Sequence, residues 1–355
     1  MSKFFNYKLS ELKPYTPGEQ PNRFENWVKL NTNESPFPPS LCVNKVLNDY
    51  YHSNLRLYPN PNCDSLLINL AKEYKVNKEQ IIVANGSDEL LAFSFMGFCE
   101  KGAIFPDLTY GFYKVFSGLF NVKYKEVALT EELKIDIDSY KNLKETLVIA
   151  NPNAPTGIEL TRDEMIKLLE QDANRLVIVD EAYVDFGGTS SVDMINEYDN
   201  LLVIGTFSKS RNLAGARIGF AISNNEVIND LYKIKYSFNP YNVNSLSALM
   251  GEAALRDQRY FESCIDRIKA NRKFLTEELN SMGFEVLNSK ANFVLVKCKG
   301  IKANIYYEKL KERGILIRYF DIDRIKDYVR ITIGSKKELE LLVKTTKEII
   351  WGNQR

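Results

Sequence analysis

Histidine is almost missing from this chain of 355 residues, with His52 the sole example. That scarcity removes serine-triad hydrolysis, HExxH zinc chemistry and histidine-based acid–base catalysis from consideration. Proton traffic then falls to lysine, tyrosine or carboxylate. Cysteine is sparse as well: Cys42, Cys63, Cys99, Cys264 and Cys298 are odd in number, widely spaced and free of any CxxC pair. Neither a disulfide framework nor a zinc site is signalled. Charge of one sign is not in excess, since 47 basic and 46 acidic residues leave a net charge of +1. Nucleic acid and anionic membrane are therefore not expected partners. No apolar run nears the ~20 residues needed to span a bilayer, and the charged N-terminus lacks a signal-peptide core. The expected compartment is the cytoplasm.

What the chain does carry is a dense stretch at residues 201–219, LLVIGTFSKSRNLAGARIG. The β-branched run 201–207 reads as a buried parallel strand, and Lys209 follows its carboxyl end, where open α/β sheets place ligands. Desolvation there would free a neutral amine for attack on a carbonyl. Thr206, Ser208 and Arg217 around it suit a phosphate. A carbonyl and a phosphate on one small molecule describe pyridoxal 5'-phosphate, held as a lysine Schiff base. A solvated loop lysine fits the same dipeptide, so the rest of the chain must decide.

Residues 1–40 read as a proline-broken arm that is too apolar, with Tyr15, Trp27, Leu30 and Phe37, to be a free tail. Helices are expected at 41–51 and 64–75, the latter capped by Asp64. From residue 81 strands and helices alternate, with a helix at 110–119, another near 190–197 and continuous apolar strands. This pattern indicates an α/β fold with a mostly parallel sheet covered by helices. Asn85-Gly86-Ser87-Asp88 turns into a helix whose first amides, at Ser87 and Asp88, form a natural phosphate site. Asp88 is equally readable as a helix cap.

Two further strand ends face the same crevice. Asp180 could hold a pyridine nitrogen protonated, Tyr183 and an asparagine could hydrogen-bond a phenolic oxygen, and Tyr110 could stack on the ring. Cap, turn and core roles fit each of these singly, but not their order on consecutive crossovers. Beyond about residue 240 the pattern becomes a smaller α+β domain entered by long helices at 243–256 and 258–282. Arg318 and Arg330 lie on or beside its strands at 315–318 and 328–333, where guanidinium forks could clamp an anion. The division expected is an arm at 1–40, a large cofactor domain at 41–240, and interdomain helices with a small domain at 241–355.

KLNTNESPFPP, NGSDE, NPNAPTG, DEAY, TFSKSRNLAGARIG and GILIRYF occur in one order along nearly the whole chain. In this the sequence resembles the fold-type-I pyridoxal-phosphate-dependent aminotransferases, and among them the histidinol-phosphate branch. The resemblance implies that Lys209 holds the cofactor and later shuttles the substrate proton. It implies Asp180 on the ring nitrogen, Tyr183 on the ring oxygen and Tyr110 on the ring face. Ser87, Asp88, Thr206, Ser208 and Arg217 would hold the phosphate. Arg318 and Arg330, with Tyr15 and Asn33, would receive the substrate, and 2-oxoglutarate would accept its amino group. Tyr58 would reach the site of a neighbouring subunit, which implies a homodimer.

Two departures stand out. Ala154 occupies the place where many aminotransferases carry the asparagine that meets the ring oxygen, leaving Asn153 as the candidate. Ser210-Arg211-Asn212 follows the lysine where small or aromatic residues are common, which bears on the site's rim. An O-phosphothreonine decarboxylase, a broad aromatic aminotransferase and, more distantly, a cofactor-binding regulatory module remain alternatives on the same motifs.

Overall fold

The computed structural model describes residues 2–21 and 27–352. After a short strand β1 (Val28–Lys29) come helices α1 (Leu41–Asp49) and α2 (Asp64–Tyr74). The large sheet is then assembled from β2 (Ile81–Ala84), β3 (Ala103–Pro106), β4 (Tyr124–Val127) and β5 (Thr146–Ala150). Its remaining strands are β6 (Val177–Asp180), β7 (Leu201–Thr206) and β8 (Gly219–Ile222). Helices α3 (Ser87–Phe98), α4 (Phe112–Leu119), α5 (Arg162–Glu170), α6 (Asn225–Phe238) and α7 (Ser245–Arg256) join and cover it.

Spatial order is β2-β8-β7-β6-β5-β3-β4. Every pairing is parallel except at β8, which runs antiparallel to both β7 and β2. Strands β2, β3, β5, β6, β7 and β8 are buried at every residue, as their unbroken apolar sequences require of a sheet covered on both faces. One apolar layer, including Ile81, Val83, Leu147 and Val203, packs under α2 and α5. The other, including Phe93, Phe105, Tyr113 and Leu231, lies under α3, α4 and α6.

Helix α8 (Gln258–Ser281) leads into a second body with its own core. That body holds β9 (Glu285–Val286), β10 (Phe293–Lys297), α9 (Ala303–Lys311), β11 (Ile315–Leu316), β12 (Arg318–Tyr319), β13 (Tyr328–Thr332) and α10 (Lys336–Trp351). Its antiparallel sheet has the order β12-β13-β10-β9. The single strand expected at 315–318 is divided: β11 pairs in parallel with β1 of the arm, and β12 joins β13. Leu30 and Phe37 of the arm are buried in this second core.

Local expectations shift in two places. The helix expected near 190–197 is a single short turn, Val192–Met194. Asp64 is the first residue of α2, and the N-cap is Cys63, in the left-handed region at φ 57°. Among the described residues no helix is long and apolar enough to cross a membrane.

Candidate active site

Parallel strands deliver their carboxyl ends to one edge of a sheet. Here the carboxyl ends of β2, β3, β5, β6 and β7 lead to or carry Asp88, Tyr110, Asn153, Asp180 and Lys209 respectively. The Lys209 Nζ lies 3.4 Å from the carbonyl oxygen of Thr32 in the arm and 5.9 Å from the Tyr183 ring centroid. Burial lowers its pKa to about 8, the Arg330 charge acts in the same direction, and Glu34 and Asp88 oppose both. The amine is therefore partly neutral near physiological pH, as a nucleophile and proton carrier requires.

Asp180 is buried at the last position of β6. Its Oδ2 accepts from the Tyr113 hydroxyl at 3.2 Å and its Oδ1 from the Ala182 amide at 3.1 Å. Burial raises its pKa to about 6, against the pull of those two donors. Tyr113 is a site residue the sequence reading missed. It stands one helical turn past Tyr110, on the α4 face that also buries Phe116.

Thr206, Ser208, Arg217 and the start of α3 converge. The Thr206 hydroxyl donates to Ser208 Oγ at 2.9 Å, and Arg217 approaches the same oxygen at 3.5 Å while pairing with Asp88 at 3.0 Å. No side chain caps α3, so the amides of Ser87 and Asp88 open toward this group. Asp88 Oδ1 accepts from Tyr110, whose hydroxyl lies 2.8 Å away. The close approach demands glycine: a Cβ at Gly219 would lie 2.3 Å from the Gly86 carbonyl carbon and the Ser87 nitrogen. Gly86 itself adopts φ 80°, and a Cβ there would meet Arg217 Nη2 at 2.6 Å.

Asn153 stands apart. Its Nδ2 donates to the Leu108 carbonyl at 3.0 Å and to Thr156 Oγ1 at 3.2 Å, while its Oδ1 accepts from Thr109 at 3.0 Å. Its amide hydrogens are thus engaged by protein acceptors, Leu108 of the loop after β3 and Thr156 of its own turn. Tyr183, by contrast, presents a hydroxyl that accepts from Asn33 Nδ2 at 3.0 Å. Asn33 is fixed in turn by Thr332, which accepts from its amide at 3.0 Å and donates to its Oδ1 at 3.0 Å.

Arg318 and Arg330 sit directly opposite each other on β12 and β13. Arg330 Nη2 donates to the Asn31 carbonyl at 2.9 Å, and its Nε has no partner among the described residues. Its guanidinium lies 5.2 Å from the Phe293 ring and 5.5 Å from that of Phe320. Neither arginine forms an ion pair with a carboxylate among the described residues. Two neighbouring cations without an acid make a receptor for an anion. Tyr15 stacks on Phe112 at 4.4 Å, beside Tyr110 at 6.3 Å. Tyr58 is not brought to this cluster: it is 81% exposed and stacks on Tyr241 at 4.6 Å.

The sequence profile of class I and II aminotransferases matches residues 25–345. A histidinol-phosphate aminotransferase of Brachyspira hyodysenteriae is 46% identical over 99% of this chain and 99% of its own. Among solved structures, the histidinol-phosphate aminotransferase of Clostridium acetobutylicum is similar with a TM-score of 0.84, at 26% identity over 92% of this chain and 99% of that one. The Sinorhizobium meliloti histidinol-phosphate aminotransferase, solved with pyridoxal-5'-phosphate, shares the fold with a TM-score of 0.88 at 22% identity, covering 99% of both chains.

Proposed function

Since this chain belongs to the class I and II aminotransferase family, we propose that it transfers the amino group of L-histidinol phosphate to 2-oxoglutarate. The products are imidazole acetol phosphate and L-glutamate. One observation of the site carries the substrate reading: the paired Arg318 and Arg330, without a carboxylate of their own, suit a substrate phosphate and the carboxylates of the returning keto acid. Full-length similarity at 46% identity to a relative of that name supports the same choice.

The residues present fit pyridoxal phosphate. Uncapped amides at the start of α3, two hydroxyls and Arg217 form a donor set for a phosphate, held close together because Gly86 and Gly219 carry no Cβ to push Arg217 and the α3 start apart. A carboxylate at Asp180, an amine at Lys209 and a hydroxyl at Tyr183 suit the nitrogen, the carbonyl and the ring oxygen. When bound, the cofactor supplies an electron sink for charge developing on the substrate carbon that bears nitrogen. Lys209 Nζ would take the proton from that carbon and carry it, its depressed pKa keeping a neutral fraction available. Asp180, mostly ionised above pH 6, would hold the ring nitrogen protonated. Tyr183 would donate to the ring oxygen, and Tyr110 would support the ring face. Arg318 and Arg330 orient the substrate by its anionic end.

We read the chain as a homodimer in the cytoplasm. The apolar side chains of Leu41, Tyr51, Leu55 and Leu57 are exposed beside Tyr58, and this reading has Tyr58 completing the partner's site.

The test is a single-turnover absorbance measurement on cofactor-loaded protein without keto acid. L-histidinol phosphate should abolish the visible band, and 2-oxoglutarate should restore it. Release of CO₂ from O-phosphothreonine, with the band intact after turnover, would replace this reading with a decarboxylase.

A further inference from the structure

Ser210 and Arg211, which sequence places at the rim of the site, are instead buried beneath it. The segment closes a tight turn under Lys209: the Asn212 amide donates to the Lys209 carbonyl at 3.4 Å and the Leu213 amide to that of Phe207 at 3.1 Å. Arg211 points away from the cleft into protein, and its contacts gather at one place. Nη2 pairs with Glu73 near the end of α2 at 2.6 Å. Nη1 donates to the Ala254 carbonyl at 3.3 Å and to Gln258 Oε1 at 3.0 Å. The guanidinium lies 3.6 Å from the centroid of the Phe261 ring.

Ala254 and Gln258 flank Asp257, the junction between α7 and α8. Helix α7 packs on α1 and α2 of the large body, whereas α8 continues into the core of the small one through Cys264, Ile265 and Ile268. The bend at Asp257 is thus where the chain passes between the two bodies. A planar five-donor fork, charge-paired on one side and stacked on an aromatic ring on the other, is a rigid tie. A guanidinium with a purely local role would have no reason to span α2, α7 and α8 together.

We propose that Arg211 is a positioning residue, which ties the Lys209 turn to the α7–α8 junction and so couples the placement of the small body to the aim of the Lys209 amine. The inference rests on the reading of Lys209 as the proton-carrying amine. Displacing a reacting group by about 1 Å costs roughly 10²-fold in rate.

The experiment compares wild type with Arg211→Met, Arg211→Lys and Gln258→Ala, each loaded with pyridoxal phosphate. Three quantities are read: single-turnover rate with L-histidinol phosphate and with its α-deuterated form, KM, and the pH at which the bound cofactor's visible band titrates. Arg211→Met should lower the rate roughly 10- to 100-fold per loaded site, enlarge the isotope effect, displace the band titration and leave KM within about twofold. Arg211→Lys should recover part of that loss. Gln258→Ala removes a single acceptor and should produce a smaller change of the same kind, which decides the matter if Arg211→Met fails to fold. A lower melting temperature with rate per loaded site, isotope effect and band titration unchanged would overturn the proposal and leave Arg211 purely structural. A wild type that does not bind the cofactor through Lys209 would overturn the Lys209 reading as well, a result distinguishable from unaltered variants.

Discussion

Asn33 donates its side-chain amide to the hydroxyl of Tyr183 across 3.0 Å, joining the N-terminal arm to the loop that follows Asp180. The same asparagine exchanges two hydrogen bonds with Thr332 at the end of β13. Arm, large sheet and small body therefore meet at one side chain that is 1% exposed. Its left-handed backbone, φ 57°, is tolerable for asparagine and poor for alanine. Asn33→Ala should lower stability by roughly 1–3 kcal/mol and reduce kcat/KM, because the Tyr183 hydroxyl loses its fixed orientation. Thermal melting and steady-state kinetics would check this; an unchanged melting temperature would show the junction to be dispensable.

Lys209 in the cofactor-free protein should gain reactivity as pH rises through about 8. Its amine is protonated below that point and neutral above it. Arg330 is the second cause of the depression after burial, so Arg330→Met should move the midpoint upward. Borohydride trapping of Lys209 with pyridoxal phosphate across pH, read by mass, gives the midpoint. A fall on replacing Arg330 would refute the assigned electrostatics.

Asp180 carries an opposite cost. Its pKa, raised from 3.8 to about 6, means that the folded chain holds more protons than the unfolded chain between those values. The contribution of Asp180 to stability is complete below about 4 and lost as pH rises through 6, a loss on the order of 3 kcal/mol. Asp180→Asn should therefore raise the melting temperature of cofactor-free protein at pH 7 but not at pH 4. It should also cut turnover by roughly 10²-fold or more. A variant less stable than wild type at pH 7 would contradict the burial argument.

Gly219→Ala should strike the phosphate cradle directly, since the added methyl would sit 2.3 Å from the backbone of Gly86 and Ser87. Weaker pyridoxal phosphate binding and a stability loss of roughly 1–3 kcal/mol are expected. Gly215→Ala is the control, because no atom beyond its chain neighbours lies within 4 Å of the place its methyl would take. Equal effects at the two sites would argue against a steric cradle.

The strands that hold the site were legible because each is a largely apolar run with polar residues at or just past its end, such as Asp180 on β6 and Lys209 after β7. A buried parallel strand leaves that local trace. The direction of β8 leaves none, since its sequence is as apolar as its neighbours and only pairing reveals that it runs antiparallel. Pairing of β1 with β11 links Val28 to Ile315, a separation no local pattern reports. Tyr113 was missed because a core tyrosine and a tyrosine that donates to a buried carboxylate have the same helical spacing. Asn153 joins its own turn to Leu108 and Thr109 of the loop after β3, a tie between crossovers that no local pattern reports.

The β1–β11 pair also orders events during synthesis. Val28 leaves the ribosome well before its partner Ile315. The large sheet, whose strands all lie between Ile81 and Ile222, can close in the meantime, while Leu30 waits for the core that will bury it. Completion of the second body thus joins two segments far apart in the chain, and a nascent chain halted before residue 315 keeps β1 unpaired.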